Sequence, residues 1–435
     1  MTTALSPEVK PTSTAANANS TANASTAAKA STTANVGYPT ASNPLTIKSP
    51  DHRLLGVIDL NGGMLARLIY QGSAPASVIA AASATTQANA TAPANTTTQA
   101  LTQIPAYPAE QQDLPYTYDL LHQAPWLKSD YYKDAPGLEQ HLSGEWACVP
   151  FGWISADSEL FKKNAAHGLP CHSTWQVLAH SAHEIKLSYT YPENYPLEKI
   201  ERTVTLTNQG VNFSYTVTAK RDCALPLGAH PCFPNQGPLN EFYLEIKGDG
   251  IVYPQDCEPH ISRLKSGAHF SDLHHLPLKL AAVPGQAEAT IPGATEATEA
   301  TAASQVASSL ETDPAFIDAT HLPWDWNSEE IVQMLHPEGE AILTYPKKGL
   351  KLTLSWDNSK VPTCLLWLSQ QGRTYEPWGG KNRCLGIEPI AGAWDFAPLS
   401  LAEDNPVAKQ GVATKVNIKA NAPFTFDYAI TVTDL

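Results

Sequence analysis

Apolar and polar residues alternate strictly along much of this chain. The pattern is clearest in GVNFSYTVTA (210–219), LKLTLSW (350–356) and PFTFDYAITV (423–432), where every second residue is apolar, mostly large. A period of two puts these residues on one face of a β-strand, whereas an amphipathic helix repeats every 3.6 residues. Each segment therefore predicts a strand that packs one face on a hydrophobic core.

The spacing of the strand-like segments predicts antiparallel sheets. HEIKLSYTY (183–191) and KIERTVTLTN (199–208) read as two strands joined by the short connection PENYPLE (192–198). Long helical periodicity is missing outside the alanine-rich tracts, and 35 prolines are spread through the chain. Many short strands without crossover helices are typical of a sandwich. The predicted fold class is all-β, a large antiparallel β-sandwich of the supersandwich type.

Three tracts of low complexity interrupt this pattern, at 11–36, 76–104 and 285–312. Alanine, threonine, asparagine and serine dominate them, and such segments bury too little apolar surface to offset the entropy of an ordered chain. We therefore predict a disordered tail over residues 1–43. One β-sandwich domain is expected over 44–435, with two surface insertions.

The charge and the N-terminal sequence exclude several classes of partner. The formal net charge of −14 leaves no overall basic surface for nucleic acid or anionic lipid. No apolar segment has the length of a signal sequence or a membrane span. We expect a cytoplasmic protein that acts on a small molecule.

The cysteines do not predict a disulfide framework or a zinc site. Seven are present, an odd number, and no CxxC pair occurs. The segment DCEPH (256–260) lacks a matching second half, so it is interpreted as a polar loop. Nucleotide-binding glycine motifs and the HExxH motif are also missing, and no metal or cofactor is predicted.

Aromatic residues, glycine, proline and ionisable side chains concentrate in a few segments. Rings that stack on sugar C–H faces beside groups that bond hydroxyls are typical of a carbohydrate pocket. Trp378 and Trp394 are predicted pocket walls, and Asp395 is expected either to bond a sugar hydroxyl or to cap a turn. The segments are GEWACVPFGW (144–153), AHGLPCHSTW (166–175), LGAHPCFP (227–234) and GRTYEPWGGKNRCLGIEPIAGAWD (372–395).

His230 and Glu388 each precede a proline, which favours an extended backbone at the preceding residue. Both are therefore expected to project from a strand or its end. From the residues alone His230 could equally be a hydrogen-bonded core histidine. Glu388 lies between apolar residues, where an unpaired carboxylate is costly, so a paired or functional role is favoured.

The segments AHGLPCHSTW, LGAHPCFP and LGIEPIAGAWD together resemble the galactose mutarotase-like superfamily, the aldose 1-epimerases, and within it the divergent branches. The resemblance runs from about residue 44 to the C-terminus. It implies a β-sandwich in which His230 is the general acid, Glu388 is the general base and His167 contacts the sugar. It also implies an isomerase of carbohydrate metabolism.

The chemistry of mutarotation suits these residue types. The base takes the proton of the anomeric hydroxyl while the acid protonates the ring oxygen; the ring opens, turns and closes on the other face. Each proton transfer typically contributes ~10²–10⁴-fold, so no cofactor is needed. We expect the two side chains on opposite sides of one pocket, about a sugar ring apart.

One position departs from the family pattern. Many relatives continue the HG motif as HGxxR, whereas Cys171 stands at the arginine position here. Arg373 or Arg383 could supply the missing sugar-binding cation. Lys381 with Arg383 could instead hold a sugar phosphate, because arginine suits phosphate oxygens.

Two rival functions stay open at this point. The loss of the HGxxR arginine is compatible with a carbohydrate-binding module that has no turnover. A sugar lyase or hydrolase would need a second carboxylate or a tyrosine near Glu388, for which Tyr375 and Glu376 are candidates.

Overall fold

The computed structural model describes residues 45–72, 116–128, 137–153, 158–162, 165–279 and 315–435, all of which belong to one unit, Ala41–Leu435. The predicted tail at 1–43 and the predicted insertions near 76–104 and 285–312 lie outside the described residues.

Strands dominate the regular structure and the helices are short. In chain order the strands of the described residues are β1 (Leu45–Lys48), β2 (Leu54–Asp59), β3 (Met64–Gln71), β4 (Thr117–Asp119), β5 (Ala147–Cys148), β6 (Gln176–His180), β7 (Glu184–Thr190), β8 (Leu197–Thr207), β9 (Gly210–Ala219), β10 (Cys223–Leu225), β11 (Leu227–Ala229), β12 (Cys232–Pro234), β13 (Phe242–Glu245), β14 (Gly250–Val252), β15 (His269–Phe270), β16 (Leu276–Pro277), β17 (Phe316–Ile317), β18 (His321–Leu322), β19 (Ser328–Met334), β20 (Glu340–Tyr345), β21 (Leu350–Trp356), β22 (Thr363–Gln370), β23 (Arg383–Ala391), β24 (Val416–Ile418) and β25 (Phe424–Asp434). The helical segments are the 3₁₀ helices Pro125–Lys128, Gly137–Gln140, Leu169–His172, Leu273–His275, Pro346–Lys348 and Ala408–Gln410, and the α-helix α1 (Ala397–Leu401). None of these helices has the length and hydropathy needed to cross a membrane.

One antiparallel sheet contains the segments that alternate in the sequence. Its strand order is β18-β13-β20-β21-β25-β9-β8-β7-β6. The three alternating segments form β9, β21 and β25, and their apolar side chains are mostly buried while the intervening residues stay largely partly or fully exposed. β7 pairs with β8 and β8 with β9, both antiparallel, so the predicted meander is confirmed.

A second antiparallel sheet faces the first. Its order is β15-β14-β19-β22-β23-β11-β5, and β12 also pairs with β23. A single apolar cluster takes Phe213 and Ile430 from the first sheet and Leu366 and Ile387 from the second. Burying each such side chain stabilises the fold by about 1.5–3 kcal/mol. The predicted large antiparallel β-sandwich is confirmed.

The central strands of the second sheet are covered on both faces, which explains why they do not alternate in the sequence. Every residue of β22 is buried. Leu366 and Leu368 join the cluster between the sheets, whereas Leu365 and Trp367 belong to a second cluster. Successive side chains of a strand point to opposite faces. The second cluster therefore covers the face that points away from the first sheet, and the candidate site lies on that face.

A buried ion pair links the two sheets. The side chains of Arg202, on β8, and Glu145, two residues before β5, are fully buried and in contact. Arg202 also donates to the carbonyl of Gly63 at 2.8 Å, and the Tyr428 hydroxyl donates to Glu145. Removing either partner would leave a buried charge unpaired, so this pair fixes β8 against the segment that leads into β5.

Candidate active site

His230 and Glu388 lie opposite each other on neighbouring strands. β11 ends just before His230 and β12 begins just after it, and both pair with β23 in the same register. That register continues across the gap and pairs His230 with Glu388. The Ile387 N–H donates to the Pro231 carbonyl at 3.0 Å, so the adjacent pair is hydrogen-bonded. His230 and Glu388 thus form a non-hydrogen-bonded pair, the type in which facing side chains are closest.

The two side chains are in direct contact. His230 Nε2 lies 3.3 Å from Glu388 Oε1, and the two side chains are 7% and 1% exposed. The other ring nitrogen, Nδ1, lies 3.3 Å from the Cys232 sulfur. Among the described residues, Glu388 Oε2 has no hydrogen-bond partner. One oxygen of this buried carboxyl group is therefore available to a ligand.

The expected separation of a sugar ring between His230 and Glu388 is wrong. It assumed that acid and base hold the ring from two sides. The anomeric hydroxyl and the ring oxygen are bonded to the same carbon, however, so two adjacent side chains can address both oxygens.

Aromatic rings enclose His230. The Trp146 ring stacks on the imidazole with centroids 4.3 Å apart and an angle of 20° between the planes. His167 and Trp367 present their rings edge-on, at 5.0 and 6.0 Å. These contacts hold the imidazole in one orientation and remove most of its water.

The HG motif forms a tight turn that carries His167 to this ring cluster. His167 has φ of 61°, and its N–H donates to the Gly152 carbonyl at 2.7 Å. A Cβ at Gly168 would lie 2.5 Å from the Val149 carbonyl oxygen, so the turn requires glycine. The Cys171 thiol is buried and contacts the His167 carbonyl at 3.1 Å. Cys171 therefore supports the turn and supplies no cation.

A cavity of about 580 Å³ opens beside the His230–Glu388 pair. Six of the eight predicted site residues line it, namely His230, Glu388, His167, Arg373, Trp378 and Asp395. Its other described lining residues are Gly137, Leu138, Glu139, Leu142, Trp146, Trp153, Ala166, His172, Ile331, Leu365 and Trp367.

Arg373 is held in the cavity wall by a carboxylate and two tryptophans. Its Nε lies 3.1 Å from Glu329 Oε1, and the Glu329 side chain is fully buried. Glu329 also accepts from Trp367 Nε1 at 2.6 Å. The guanidinium carbon lies 4.6 Å from the ring centroid of Trp378 and 5.6 Å from that of Trp367. Glu329 therefore positions both Arg373 and Trp367.

Asp395 lies in the cavity wall between Tyr253 and Trp153. Its side chain lines the cavity, where Oδ1 accepts from the Tyr253 hydroxyl at 2.6 Å. Its backbone carbonyl accepts from the Trp153 N–H at 2.9 Å. Trp394, a predicted wall, does not line this cavity, because its ring is buried against Tyr253.

Comparisons with known proteins identify the architecture. No protein-family model matches the sequence, and no curated protein matches it. Solved structures do match. A candidate aldose 1-epimerase from Escherichia coli K12 superposes with a TM-score of 0.52 and 13% identity, over 90% of this chain and 99% of that one. An aldose epimerase homologue from C. elegans superposes with a TM-score of 0.50 and 13% identity, over 90% and 99% of the two chains.

The chain has the galactose mutarotase-like fold. The resemblance predicted from the sequence motifs is therefore confirmed at the level of the fold. At 13% identity the comparison carries no activity or substrate over to this chain.

Within this galactose mutarotase-like fold, Arg383 lies outside the cavity. It begins β23, and its guanidinium donates to Gln371 Oε1 at 2.5 and 3.0 Å. The neighbouring Lys381 is exposed and does not line the cavity either. The predicted substrate-binding role of Arg383 is corrected accordingly, because the turn at 376–381 separates it from Arg373.

Burial changes the protonation expected for His230 and Glu388. Loss of solvent, reinforced by the negative charge of Asp395, raises the pKa of Glu388 well above its usual range. Loss of solvent, reinforced by His167, lowers the pKa of His230 well below that of a free histidine. Both directions favour a neutral pair with the shared proton on Glu388. The resemblance implies His230 as the general acid and Glu388 as the general base, and a proton on Glu388 favours the opposite roles.

The candidates for lyase or hydrolase chemistry do not reach the site. Tyr375 is 53% exposed, and its hydroxyl donates to Glu258 at 2.8 Å. Neither Tyr375 nor Glu376 lines the cavity. Among the described residues, no cluster of three or more histidine, cysteine or acidic side chains is arranged to hold a metal ion.

Sequence reasoning missed Glu329, Glu139, Trp146 and Trp367 as site residues. Glu329 begins the pair Glu329–Glu330 inside the buried strand β19, and two adjacent acids in an apolar segment are the one signal that could have indicated it. The tryptophans carry no comparable signal, because tryptophan is equally common in a sandwich core.

Proposed function

We propose that this protein is an aldose 1-epimerase-like mutarotase that interconverts the α and β anomers of a free aldose. The observation that carries the proposal is the pairing of His230 with Glu388, in contact at 3.3 Å on the wall of an aromatic cavity. A core histidine would not need a cavity, and a core glutamate would not leave a carboxyl oxygen without a partner.

The adjacent pair can move both protons of the reaction. In ring opening, neutral His230 takes the proton of the anomeric hydroxyl and Glu388 gives its proton to the ring oxygen. The bond between the anomeric carbon and the ring oxygen breaks as the aldehyde forms. After rotation about the neighbouring carbon–carbon bond, the ring closes and both protons return. The pair carries one proton in total throughout, so the cycle needs no net exchange with solvent.

The remaining cavity residues suit a neutral sugar. Trp146, Trp367 and Trp378 offer ring faces and edges for C–H contacts. Trp146 Nε1 and His167 Nδ1 have no hydrogen-bond partner among the described residues, so both can bond hydroxyls. Arg373, which already pairs with Glu329, would orient the sugar beside them.

A hexose phosphate is a less suitable substrate. The basic pair Lys381 and Arg383, on which that alternative rested, lies outside the cavity. Arg373 would have to exchange a buried carboxylate for the phosphate, and Asp395 would repel it.

A carbohydrate-binding module without turnover is the second candidate. The specific observation in its favour is Cys171, which replaces a sugar-binding arginine of the HGxxR pattern and packs into the interior. Binding without acceleration of anomer exchange would be its signature.

The test measures anomer exchange by polarimetry or by NMR of the anomeric protons on freshly dissolved α-D-glucose and α-D-galactose. We expect the wild type to accelerate exchange, and His230→Asn and Glu388→Gln each to lose ~10²–10⁴-fold of the rate. His269→Asn and Glu198→Gln, which change exposed residues of the same types, are matched controls and should keep it. A folded His230→Asn or Glu388→Gln variant with the full rate would refute the mechanism. Saturable sugar binding without acceleration by the wild type would favour the binding module.

A further inference from the structure

Acidic groups outnumber cations around the cavity. Among the described lining residues, Arg373 is the only lysine or arginine, whereas Glu139, Glu388 and Asp395 each contribute a carboxyl group. This excess of acidic groups in the cavity has the same sign as the formal net charge of the whole chain, which is −14.

The positive charge of Arg373 is already neutralised by the protein. Its Nε lies 3.1 Å from Glu329 Oε1 and 3.4 Å from Glu258 Oε1. Glu329 is fully buried, and removing its partner would leave an uncompensated charge in the interior. The charge of Arg373 also lowers the pKa of Glu139 and Asp395, but it is shared with the two carboxyl groups of the wall that it contacts.

Glu139 and Asp395 retain capacity for a ligand. Within the described residues, the Glu139 carboxyl group makes no hydrogen bond or ion pair. Asp395 accepts hydrogen bonds from the Tyr253 hydroxyl, from the Trp153 side chain and from its own backbone N–H, and a carboxylate offers about four lone-pair sites, so about one remains. Burial raises the pKa of both groups, so their ionised forms lack sufficient stabilisation from their surroundings. A cationic ligand would supply it.

We infer that the substrate is an aldose that carries a protonated amino group, with Glu139 or Asp395 as the residue that binds its ammonium. This inference rests on the proposed function, since it names the substrate class of the same site. The free Glu388 Oε2 and Trp146 Nε1, both on nearly fully buried side chains that line the cavity, remain for the hydroxyls.

The chemistry distinguishes three substrate classes. An ammonium group has three donors and no acceptor, so it matches carboxylates and forms charge-assisted bonds with them. A neutral aldose bonds the same carboxyl groups without the charge term. An anionic sugar meets like charges from Glu139 and Asp395.

The experiment compares dissociation constants by NMR titration at neutral pH and constant ionic strength. The probes are D-glucose, 2-amino-2-deoxy-D-glucose, 6-amino-6-deoxy-D-glucose and D-glucose 6-phosphate. We expect at least one amino sugar to bind about tenfold more tightly than glucose, and the phosphate to bind more weakly than glucose. At least one of Glu139→Gln and Asp395→Asn should reduce the ratio of amino-sugar to glucose affinity several-fold. Glu198→Gln, an exposed change of the same type on β8, should keep the ratio.

Two results would overturn the inference: amino sugars that bind no more tightly than glucose, or a preference that survives in both cavity variants. Anomer exchange measured on the same samples separates this inference from the proposed catalysis. Exchange of glucose without an amino-sugar preference refutes only the substrate class, whereas the preference without exchange refutes only the catalysis.

Discussion

A single methyl group at Gly386 should separate Glu388 from His230. Gly386 lies two residues before Glu388 on β23, so both project on the same face. A Cβ built at Gly386 would lie 2.4 Å from Glu388 Oε1 and 3.1 Å from Trp367 Cβ. The first distance is shorter than real Cβ contacts, which stay above 3.0 Å.

The carboxyl group must therefore move by at least about 0.6 Å, since Trp367 closes the other side. The same oxygen contacts His230 at 3.3 Å, so the displacement acts directly on the proposed catalytic pair. Misplacing a catalytic group by about 1 Å costs ~10²-fold in rate. An extra methyl in a packed core costs roughly 1–3 kcal/mol of stability. We expect Gly386→Ala to fold and to lose about 10²-fold of kcat/KM.

Polarimetry at several sugar concentrations measures kcat/KM, and urea unfolding measures stability. The control is Gly392→Ala, whose Cβ would find its nearest neighbour at 3.3 Å and which lies just after the same strand. Gly386→Ala with the wild-type rate would refute the requirement for the Glu388–His230 contact. Equal losses in both variants would mean that any added methyl near β23 disturbs the protein, and would refute the specific role of the Glu388–His230 contact.

Further predictions concern the protonation of His230 and Glu388, the stability of the fold, and Arg383, which lies outside the cavity. Because burial lowers the pKa of His230 and raises that of Glu388, the pair carries one proton only between these two pKa values. The rate of anomer exchange, with buffer-catalysed exchange subtracted, should therefore fall as the pH drops through the lowered pKa of His230 and again as it rises through the raised pKa of Glu388, whereas a rate that rises with pH throughout would contradict these protonation states. Glu145→Gln should destabilise the fold by about 3–5 kcal/mol in urea unfolding because it leaves Arg202 buried and unpaired; a double change to apolar residues that is equally destabilising would contradict this. Arg383→Ala should keep kcat/KM, and a tenfold rise in KM would return Arg383 to the site.

The fold was predictable because its first sheet exposes one face to solvent. β9, β21 and β25 are half-buried, and their alternation of apolar with polar residues follows from that environment. β22 and β23 are covered on both faces, so their apolar runs carry no period. Their place in the second sheet depends on contacts between residues far apart in sequence, which local patterns do not encode.

The site was predictable as a set of residues and not as a geometry. The HG, HP and EP motifs indicated His167, His230 and Glu388, and the cavity brings these three together. The contact between the last two depends on strand register, which is set by pairing across more than 150 residues of sequence. No local feature of the sequence distinguishes Arg373 from Arg383 as the residue that reaches the cavity. Only the turn between them decides that Arg373 faces it.

The prolines beside the two candidate catalytic residues have a structural consequence that the motifs do not state. Pro231 pairs with Ile387, and the alternation of the ladder makes Pro389 the partner of Ala229, so each hydrogen-bonded pair that flanks His230 and Glu388 lacks one N–H donor. Prolines are disfavoured in central strands for this reason. Each missing bond forfeits about 0.5–1.5 kcal/mol of net stabilisation. Each proline also restricts the residue before it, His230 or Glu388, to extended backbone. This restriction fixes the direction of both side chains before a ligand arrives. The sheet thus lacks two ladder hydrogen bonds where the proposed chemistry needs the most exact placement.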